Sequence, residues 1–443
     1  MWPSEAMAKL SSRTDSTGCA TELDSRTALR SAILINAALK QPARPQSDSQ
    51  KLPNAQNSSL RHHFPGVRDG WSRFDGPAGT QMVDVAISAM TEWAATGSNA
   101  NTGGFFAAAD ACDALLDSTR TVVGEFLGAD PAGICLGANM TTMTMAFTRA
   151  IARTLKPGDR IVGTRLDHEA NVSPWRIACE ISGAEHVLTP FDPTTGRLDM
   201  VALEQLINDD TKWVAVTGAS NLIGTMPDLK SIIAIAHKHG ARVFVDAVAL
   251  APHKQINIRE LGCDALATSP YKWYGPHAGV MYVEPALLDS LPVAKVRPAK
   301  DTGPRRFETG TPNFEGIAAT QAAARFLIEE DMRKLQALES AVFAPLLEGL
   351  LDTPGVRVWG PHDLEMRAPT ISFTLDSMTP DRVAQELAAK KIAVWSGDSY
   401  AVEVVAQLGL TQSGGVVRAG IARYIDNDDV NNFLTAVRGL VSR

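Results

Sequence analysis

The sequence is poor in cysteine, has no excess of basic residues, and lacks long apolar runs. Its 443 residues include five cysteines, an odd number, with no CxxC pair, so neither a disulfide framework nor a metal site is predicted. Lys and Arg total 42 against 49 Asp and Glu, a net charge of −7, which is not the footprint of a nucleic-acid-binding protein. No apolar stretch approaches the roughly 18 residues of a membrane-spanning helix. These absences predict a cytoplasmic protein without a membrane or nucleic-acid partner.

The composition that is present belongs to a globular chain. Hydrophobic residues make up 45% and charged residues 21%, which excludes the disordered, collagen-like and coiled-coil classes. Residues 1–60 differ from the rest because Ser, Thr, Gln and Asn are frequent and apolar clustering is weak. We expect them to form a flexible N-terminal extension, in which residues 27–40 could form an amphipathic helix. Residues 1–20 lack the apolar core of a signal peptide, and the acidic residues nearby argue against a transit peptide.

From about residue 110 to 290, helical patterns alternate with short β-rich runs, which is the pattern of an α/β fold. The runs are mostly apolar, as buried parallel strands are. The predicted strands are 133–136, 160–163, 185–188, 213–217, 242–245, 265–269 and 279–283. The sequence thus predicts a large domain at 61–310, built on a mostly parallel sheet covered by helices.

The pattern changes after about residue 315. Long helices are predicted over 315–350, followed by the strand candidates 356–359, 370–374, 393–396 and 416–420. This order is typical of an α+β unit. We therefore expect a second, smaller C-terminal domain at 311–443, with the N-terminal segment of the large domain touching it.

Ligands in open α/β sheets bind beyond the carboxyl ends of the strands. The strand ending at Leu136 leads into Gly137–Thr142 and then into a helix. The exposed N–H groups of such a helix start would suit a phosphate, although an ordinary helix capped by Asn139 explains the segment equally well. The fingerprints GxxxxGK[ST] and GxGxxG are missing here, so an NTP or dinucleotide site is not supported.

Two charged residues follow neighbouring strands. Asp246 ends a buried apolar run, where its charge would need a cation or a strong donor, such as a protonated cofactor nitrogen or a structural arginine. Lys272 lies in Ser269–Pro276 among aromatic and proline residues, where desolvation would lower its pKa. Each residue alone is weak support. Together they match the two fixed requirements of pyridoxal phosphate (PLP) chemistry, a carboxylate for the ring nitrogen and a lysine that carries the cofactor.

The chain resembles the class V aminotransferase-fold PLP enzymes, specifically the cysteine desulfurase and selenocysteine lyase group. The resemblance covers residues 74–440. Its motifs occur in family order: 167–171 (Asp-His-Glu-Ala-Asn) with Trp175, 220–225 (Ser-Asn-Leu-Ile-Gly-Thr), 245–246 (Val-Asp), 269–276 (Ser-Pro-Tyr-Lys-Trp-Tyr-Gly-Pro), 307–313 (Phe-Glu-Thr-Gly-Thr-Pro-Asn) and 418–419 (Arg-Ala). It implies a PLP-dependent transferase fold of type I and a homodimer with its active site at the subunit interface.

The resemblance also implies roles for individual residues. Lys272 would attach the cofactor covalently, Asp246 would pair with its ring nitrogen, and His168 would stack on its ring. Arg418 would grip the substrate α-carboxylate, and Asn221 would lie near that carboxylate and the cofactor hydroxyl. The phosphate would be held by Ala138, Asn139, Ser269 and Tyr271, and by Gly310 and Thr311 from the other subunit.

Two positions depart from the desulfurase pattern. Desulfurases carry a loop that reads Gly, two further residues and then a nucleophilic Cys. Here Gly397-Asp398-Ser399 is followed by Tyr400. Ala249 replaces the glutamine that usually contacts the cofactor's phenolic oxygen. The first departure puts sulfur transfer to an acceptor in doubt, because no thiolate would be available.

Three functions stay open on the sequence. The first is C–S lyase chemistry of the desulfurase type, without the loop cysteine, on an amino-acid substrate. The second keeps PLP but makes the reaction transamination or epimerisation, as in isopenicillin N epimerase-like enzymes. The third is a catalytically silent relative, against which the intact Lys272, Asp246, His168 and Arg418 argue.

Overall fold

The computed structural model describes residues 60–442. Apart from Leu60, the predicted N-terminal extension and its helix at 27–40 lie outside the described residues. Within residues 60–442, no helix has both the length and the hydropathy needed to cross a bilayer.

A seven-stranded sheet forms the centre of the first half of this region, and its strands run in the order β2-β8-β7-β6-β5-β3-β4. Every neighbouring pair is parallel except the two that involve β8. The strands are β2 (Ile134–Gly137), β3 (Arg160–Thr164), β4 (Glu185–Thr189), β5 (Thr211–Thr217), β6 (Arg242–Asp246), β7 (Ala265–Thr268) and β8 (Gly279–Val283), and a short β1 (Ser72–Arg73) precedes them. The predicted α/β class and the seven predicted strands of this region are confirmed, with bounds shifted by at most two residues.

Both faces of this sheet are covered by apolar side chains. In β5, Trp213 and Ala215 belong to one buried cluster, whereas Val214 and Val216 belong to another. Successive side chains of a strand point to opposite faces, so the near-continuous apolar runs reflect burial on both sides. The helices of this half are α1 (Asp84–Ala95), α2 (Ala107–Leu127), α3 (Met140–Ala152), α4 (Ser173–Ser182), α5 (Met200–Leu206), α6 (Leu229–Lys238), α7 (Ile258–Leu261) and α8 (Pro285–Ser290).

The long helices predicted over 315–350 are confirmed. They are α9 (Phe314–Glu329) and α10 (Met332–Leu351). Asp331 has a left-handed backbone (φ 62°), and its carboxylate accepts a hydrogen bond of 2.9 Å from the Arg333 N–H. One residue thus ends the first helix and caps the second, a capping role that aspartate performs well.

The last part of the chain forms a four-stranded antiparallel sheet in the order β12-β13-β10-β9. Its strands and the helices around them are β9 (Val356–Trp359), β10 (Thr370–Leu375), α11 (Pro380–Ala388), β11 (Ile392–Ala393), β12 (Trp395–Gly397), α12 (Val402–Gln407), β13 (Val416–Gly420) and α13 (Asn427–Val441). The strand predicted at 393–396 is wrong as one element. Residues Ile392 and Ala393 pair with β1, and the chain then crosses at Val394 to pair with β13.

Candidate active site

The carboxyl ends of the central parallel strands and the start of α3 meet around one cavity. Strands β5, β6 and β7 are neighbours in parallel register, so the residues that follow them emerge at the same edge of the sheet. The cavity is lined by Asn139, Met140, Thr141, His168, Ala170, Thr217, Ala219, Asn221, Asp246, Val248, Ala249, Ser269, Tyr271 and Lys272. Most of the predicted site residues are therefore brought together by the fold.

Asp246 is the last residue of β6 and is 4% exposed. Its Oδ1 accepts a hydrogen bond of 2.9 Å from the Val248 N–H. Burial raises the pKa of this carboxyl to about 6, against the smaller lowering effects of that hydrogen bond and of Lys272. A buried carboxylate of this kind is stabilised by a cation placed against it.

Lys272 ends a short 3₁₀ turn (Pro270–Lys272) that follows β7, and it is 8% exposed. Its Nζ donates a hydrogen bond to the backbone carbonyl of Pro77. Burial, and after it the positive charge of Arg418, lowers the pKa of this amine to about 7. An amine with such a pKa is largely neutral at pH 8 and can act as a nucleophile.

Arg418, in the middle of β13, reaches the same site from the second sheet. It is 5% exposed, and one guanidinium nitrogen donates to the backbone carbonyl of Asn221 at 2.9 Å. Burial lowers its pKa to about 10. Among the described residues, neither Nε of Arg418 nor Oδ1 of Asn221 has a hydrogen-bond partner, although both atoms are buried. Such a donor and acceptor are costly unless a ligand satisfies them.

His168 follows β3 and is held by a buried network. Its Nδ1 accepts a hydrogen bond of 3.0 Å from the Ala170 N–H, so the proton of the neutral ring lies on Nε2. Burial, with the charges of Lys272 and Arg418, lowers the pKa of His168 to about 4. The ring is therefore neutral at physiological pH.

The other polar residues of this motif have structural contacts. Asn171 donates to Asp167 at 2.7 Å and accepts from the indole N–H of Trp175 at 2.9 Å. Burial raises the pKa of Asp167 well above its usual value, and the Asp246 charge adds to this effect. These residues fix the backbone that presents His168.

The start of α3 offers an anion site. Asn139 caps the helix by accepting a hydrogen bond of 2.8 Å from the Thr142 N–H, and the Met140 N–H donates to Ser269 Oγ at 3.3 Å. Tyr271 is half-buried and stacks on His277 with a centroid distance of 5.2 Å, and burial raises its pKa. The N–H groups and the helix dipole at such a start favour a phosphate.

Besides Arg418, which contacts the lining residue Asn221, three predicted residues lie outside the lining of this cavity. Ala138 is exposed just before the helix cap, outside the lining residues. Gly310 and Thr311 are exposed, and Gly310 borders a separate depression that also contains Arg120 and Glu308. The cofactor roles assigned to these three residues stay predictions.

Sequence reasoning missed several lining residues. Thr217 is the last residue of β5, so the rule about carboxyl ends of strands could have identified it. Thr141 and Met140 lie inside the quoted 137–142 segment. The backbone carbonyl of Pro77, which accepts from Lys272, carries no sequence signal, because any residue provides a carbonyl and this one is distant in the chain.

The donor set fits PLP. A weakly basic lysine, a buried carboxylate, a neutral histidine ring and a helix start lie around one cavity, and these groups match its aldehyde, ring nitrogen, ring face and phosphate respectively. The buried Nε of Arg418 and Oδ1 of Asn221 stay available to a further ligand.

Comparison with known proteins gives the same result. Residues 73–433 match the family model described as Aminotransferase class-V. An uncharacterized protein of Mycobacterium tuberculosis is 31% identical over 398 residues, which cover 86% of this chain and 98% of that protein. A probable cysteine desulfurase of Mycolicibacterium paratuberculosis is 32% identical over 403 residues, which cover 86% of this chain and 58% of that protein.

Among solved structures, the cysteine desulfurase of Thermococcus onnurineus superimposes with a TM-score of 0.82 at 26% identity, covering 89% of this chain and 100% of that one. The predicted type I fold and the PLP cofactor are thereby confirmed. The chain belongs to the class V aminotransferase family, in its cysteine desulfurase-like group of PLP-dependent enzymes.

Proposed function

We propose that this enzyme is a C–S lyase that removes a sulfur substituent from the β-carbon of a cysteine-derived amino acid and releases it as a thiol or sulfide. The sulfur would leave without being passed to a cysteine of the enzyme. Desulfuration yields alanine and a persulfide, so it needs a thiolate that accepts the sulfur. Elimination needs only water.

One observation carries this proposal, the replacement of the expected loop thiol by a phenol. Tyr400 occupies the position after Gly397, Asp398 and Ser399, and its ring stacks on His168 at a centroid distance of 5.5 Å. The four cysteines of the described region are all buried, and burial raises the pKa of three of them. A buried, protonated thiol is a poor nucleophile. The described residues therefore supply no persulfide carrier at this site.

Each residue of the active site has its own role in the proposed reaction. Arg418 binds the substrate α-carboxylate through its buried, unpartnered Nε, and Asn221 offers its Oδ1 to the α-amino group. Asp246 holds its negative charge against the cofactor ring nitrogen. When bound, PLP supplies an electron sink for the bonds at the substrate α-carbon. Lys272, largely neutral at pH 8, accepts the Cα proton.

The proposed reaction balances without an oxidant or a reductant. The Cα–H and Cβ–S bonds break, the proton goes to the leaving thiolate, and a C=C bond forms between Cα and Cβ. Water then hydrolyses the released enamine to pyruvate and ammonium. The net change is a cysteine conjugate and water giving a thiol, pyruvate and ammonium.

The test is product analysis with PLP-loaded enzyme on L-cysteine and S-substituted L-cysteines. We expect equal amounts of thiol or sulfide and of pyruvate, with no alanine, and no products from Lys272→Ala. Alanine formed in step with persulfide would instead indicate desulfuration. Exchange of the Cα proton with solvent deuterium, without thiol release, would refute the lyase and indicate epimerisation or transamination.

We also propose that the enzyme is a homodimer whose second subunit completes the phosphate site. Gly310 and Thr311 are exposed and lie outside the cavity of their own subunit, as expected for residues that serve a partner. Sedimentation of the holoenzyme tests this, and a monomer with full PLP affinity would contradict it.

The four described cysteines are free thiols, which supports a reducing, cytoplasmic location; fractionation of cells tests that proposal.

A further inference from the structure

Two large aromatic side chains lie exposed beside the active site. Trp395 is 53% exposed and Tyr400 is 70% exposed. We name the pair the aromatic rim. Large aromatic side chains contribute most to stability when they are buried, so packing within the chain does not explain this pair.

Tyr400 lies outside the cavity lining and is connected to it through its ring contact with His168. Its ring is tilted by only 26° from the ring of His168, with 5.5 Å between the centroids, and His168 lines the cavity together with Lys272. The outer face of Tyr400 is left to solvent. A substrate group that extends from the cavity past His168 therefore meets this ring.

Trp395 lies beside the proposed carboxylate-binding arginine. In the β12–β13 pair, Trp395 is directly opposite Arg418. Residues opposite each other in an antiparallel pair project from the same face, with Cβ atoms about 4.5 to 5.5 Å apart. Trp395 is thus the outward neighbour of Arg418, on the edge strand of the second sheet.

The loop between the two aromatic residues is held in one conformation. Ser399 and Tyr400 both have left-handed backbones, with φ of 50° and 59°, a conformation that costs free energy for residues other than glycine. Hydrogen bonds from the Asn221 amide to Ser399 O (2.8 Å) and from the Glu169 N–H to Tyr400 O (2.7 Å) stabilise it. The loop is therefore a fixed wall that presents Tyr400.

The charges around the rim disfavour an anionic substituent. Of the basic residues near the rim, Arg165 is paired with Glu403, and Arg418 is assigned to the substrate α-carboxylate, so neither is left to bind an anionic substituent. Asp398 accepts a hydrogen bond of 2.9 Å from the Tyr400 N–H and adds negative charge. A neutral, planar group gains dispersion and ring contacts from the rim without meeting this repulsion.

We propose that the aromatic rim is a specificity site for the substituent on the substrate's sulfur, and that it selects neutral aromatic groups over small or anionic ones. This inference rests on the proposed lyase function, because it places the α-carboxylate at Arg418 and the reacting carbon at Lys272. The preferred substrates are then S-aryl or S-aralkyl conjugates of L-cysteine rather than L-cysteine itself.

The test compares kcat/KM for S-benzyl-, S-methyl- and S-carboxymethyl-L-cysteine in the PLP-loaded enzyme. Wild type should prefer the benzyl compound, and Trp395→Ala or Tyr400→Ala should each reduce the benzyl-to-methyl ratio by about 10-fold, the size expected for a lost ring contact. Tyr400→Phe keeps the ring and should keep the ratio. Val201→Ala, which alters an exposed apolar side chain on α5, is the matched control and should change nothing.

The outcomes separate the two proposals. If every compound yields thiol but neither alanine variant changes the ratio, the rim proposal is overturned and the lyase stands. If wild type forms no thiol, binding of the same three compounds is measured by calorimetry. A benzyl preference in affinity that Trp395→Ala removes would support the rim and refute the lyase, and equal affinities would refute both.

Discussion

The low basicity of Lys272 predicts an unusual pH dependence for PLP attachment. Burial and the charge of Arg418 lower the pKa of this lysine to about 7. A lowered pKa of a base means that the neutral, nucleophilic form is present at lower pH. With a pKa of about 7, the neutral fraction rises from about 24% at pH 6.5 to about 97% at pH 8.5, roughly 4-fold. A lysine with the reference pKa of about 10.4 gains about 100-fold over the same interval.

The assay follows the visible absorbance of lysine-bound PLP after enzyme stripped of its cofactor is mixed with PLP at several pH values. The reaction of PLP with an N-acetylated lysine amide in the same buffers, expressed per neutral amine at each pH, corrects for the ionisation of free PLP. We expect the corrected rate to level off above pH 8. In Arg418→Gln the levelling should move to higher pH, because the neighbouring positive charge is gone. A corrected rate in wild type that rises 10-fold per pH unit up to pH 8.5 would refute the reasoning.

Three further results are expected. Lys272→Ala should bind PLP without the lysine-dependent visible band, as absorbance spectra will show; retention of the wild-type band would assign the attachment to another residue. Glu308→Gln removes the carboxylate that lies 2.7 Å from the buried Arg120 and leaves this arginine only the exposed Asp117 at 3.5 Å, so the unfolding free energy from urea titration should fall by roughly 3 kcal/mol; a loss under about 1 kcal/mol would contradict this. Gly279→Ala places a Cβ 2.5 Å from the carbonyl carbon of Asn139, so it should displace the start of α3 and weaken PLP binding at least about 10-fold in equilibrium titration; unchanged affinity would remove α3 from the phosphate site.

The fold class was predictable because its signals are local. Short apolar runs and capped helices follow each other from residue 110 to 290, and burial on both faces of the sheet gives β5 and β6 their continuous apolar character. The wrong prediction was also local, because the strand at 393–396 changes partner at Val394. That change has no glycine or proline signal. The break between α9 and α10 has none either, since the residue there is Asp331 with a left-handed backbone.

The site was partly predictable for the same reason. Asp246 and Lys272 each follow a strand, and the parallel neighbours β6 and β7 bring them to one edge of the sheet, as the topology of α/β proteins requires. The motif at 167–171 contains both a cavity-facing residue and residues with a structural role, and the sequence alone does not distinguish them. His168 faces the cavity, whereas Asp167 and Asn171 stabilise the backbone behind it.

The sequence by itself determined the α/β class, the family and the PLP cofactor, because the apolar strand runs, the helix patterns and the motifs around Asp246 and Lys272 are written in contiguous residues. Only the tertiary structure decided which atoms surround the reacting groups. The lowered pKa of Lys272 and the unpartnered Nε of Arg418 arise where segments more than a hundred residues apart come together. The position of the exposed Trp395 beside that arginine depends on the pairing of β12 with β13. Burial and electrostatic shifts depend on that proximity in space, which no local pattern in the chain specifies.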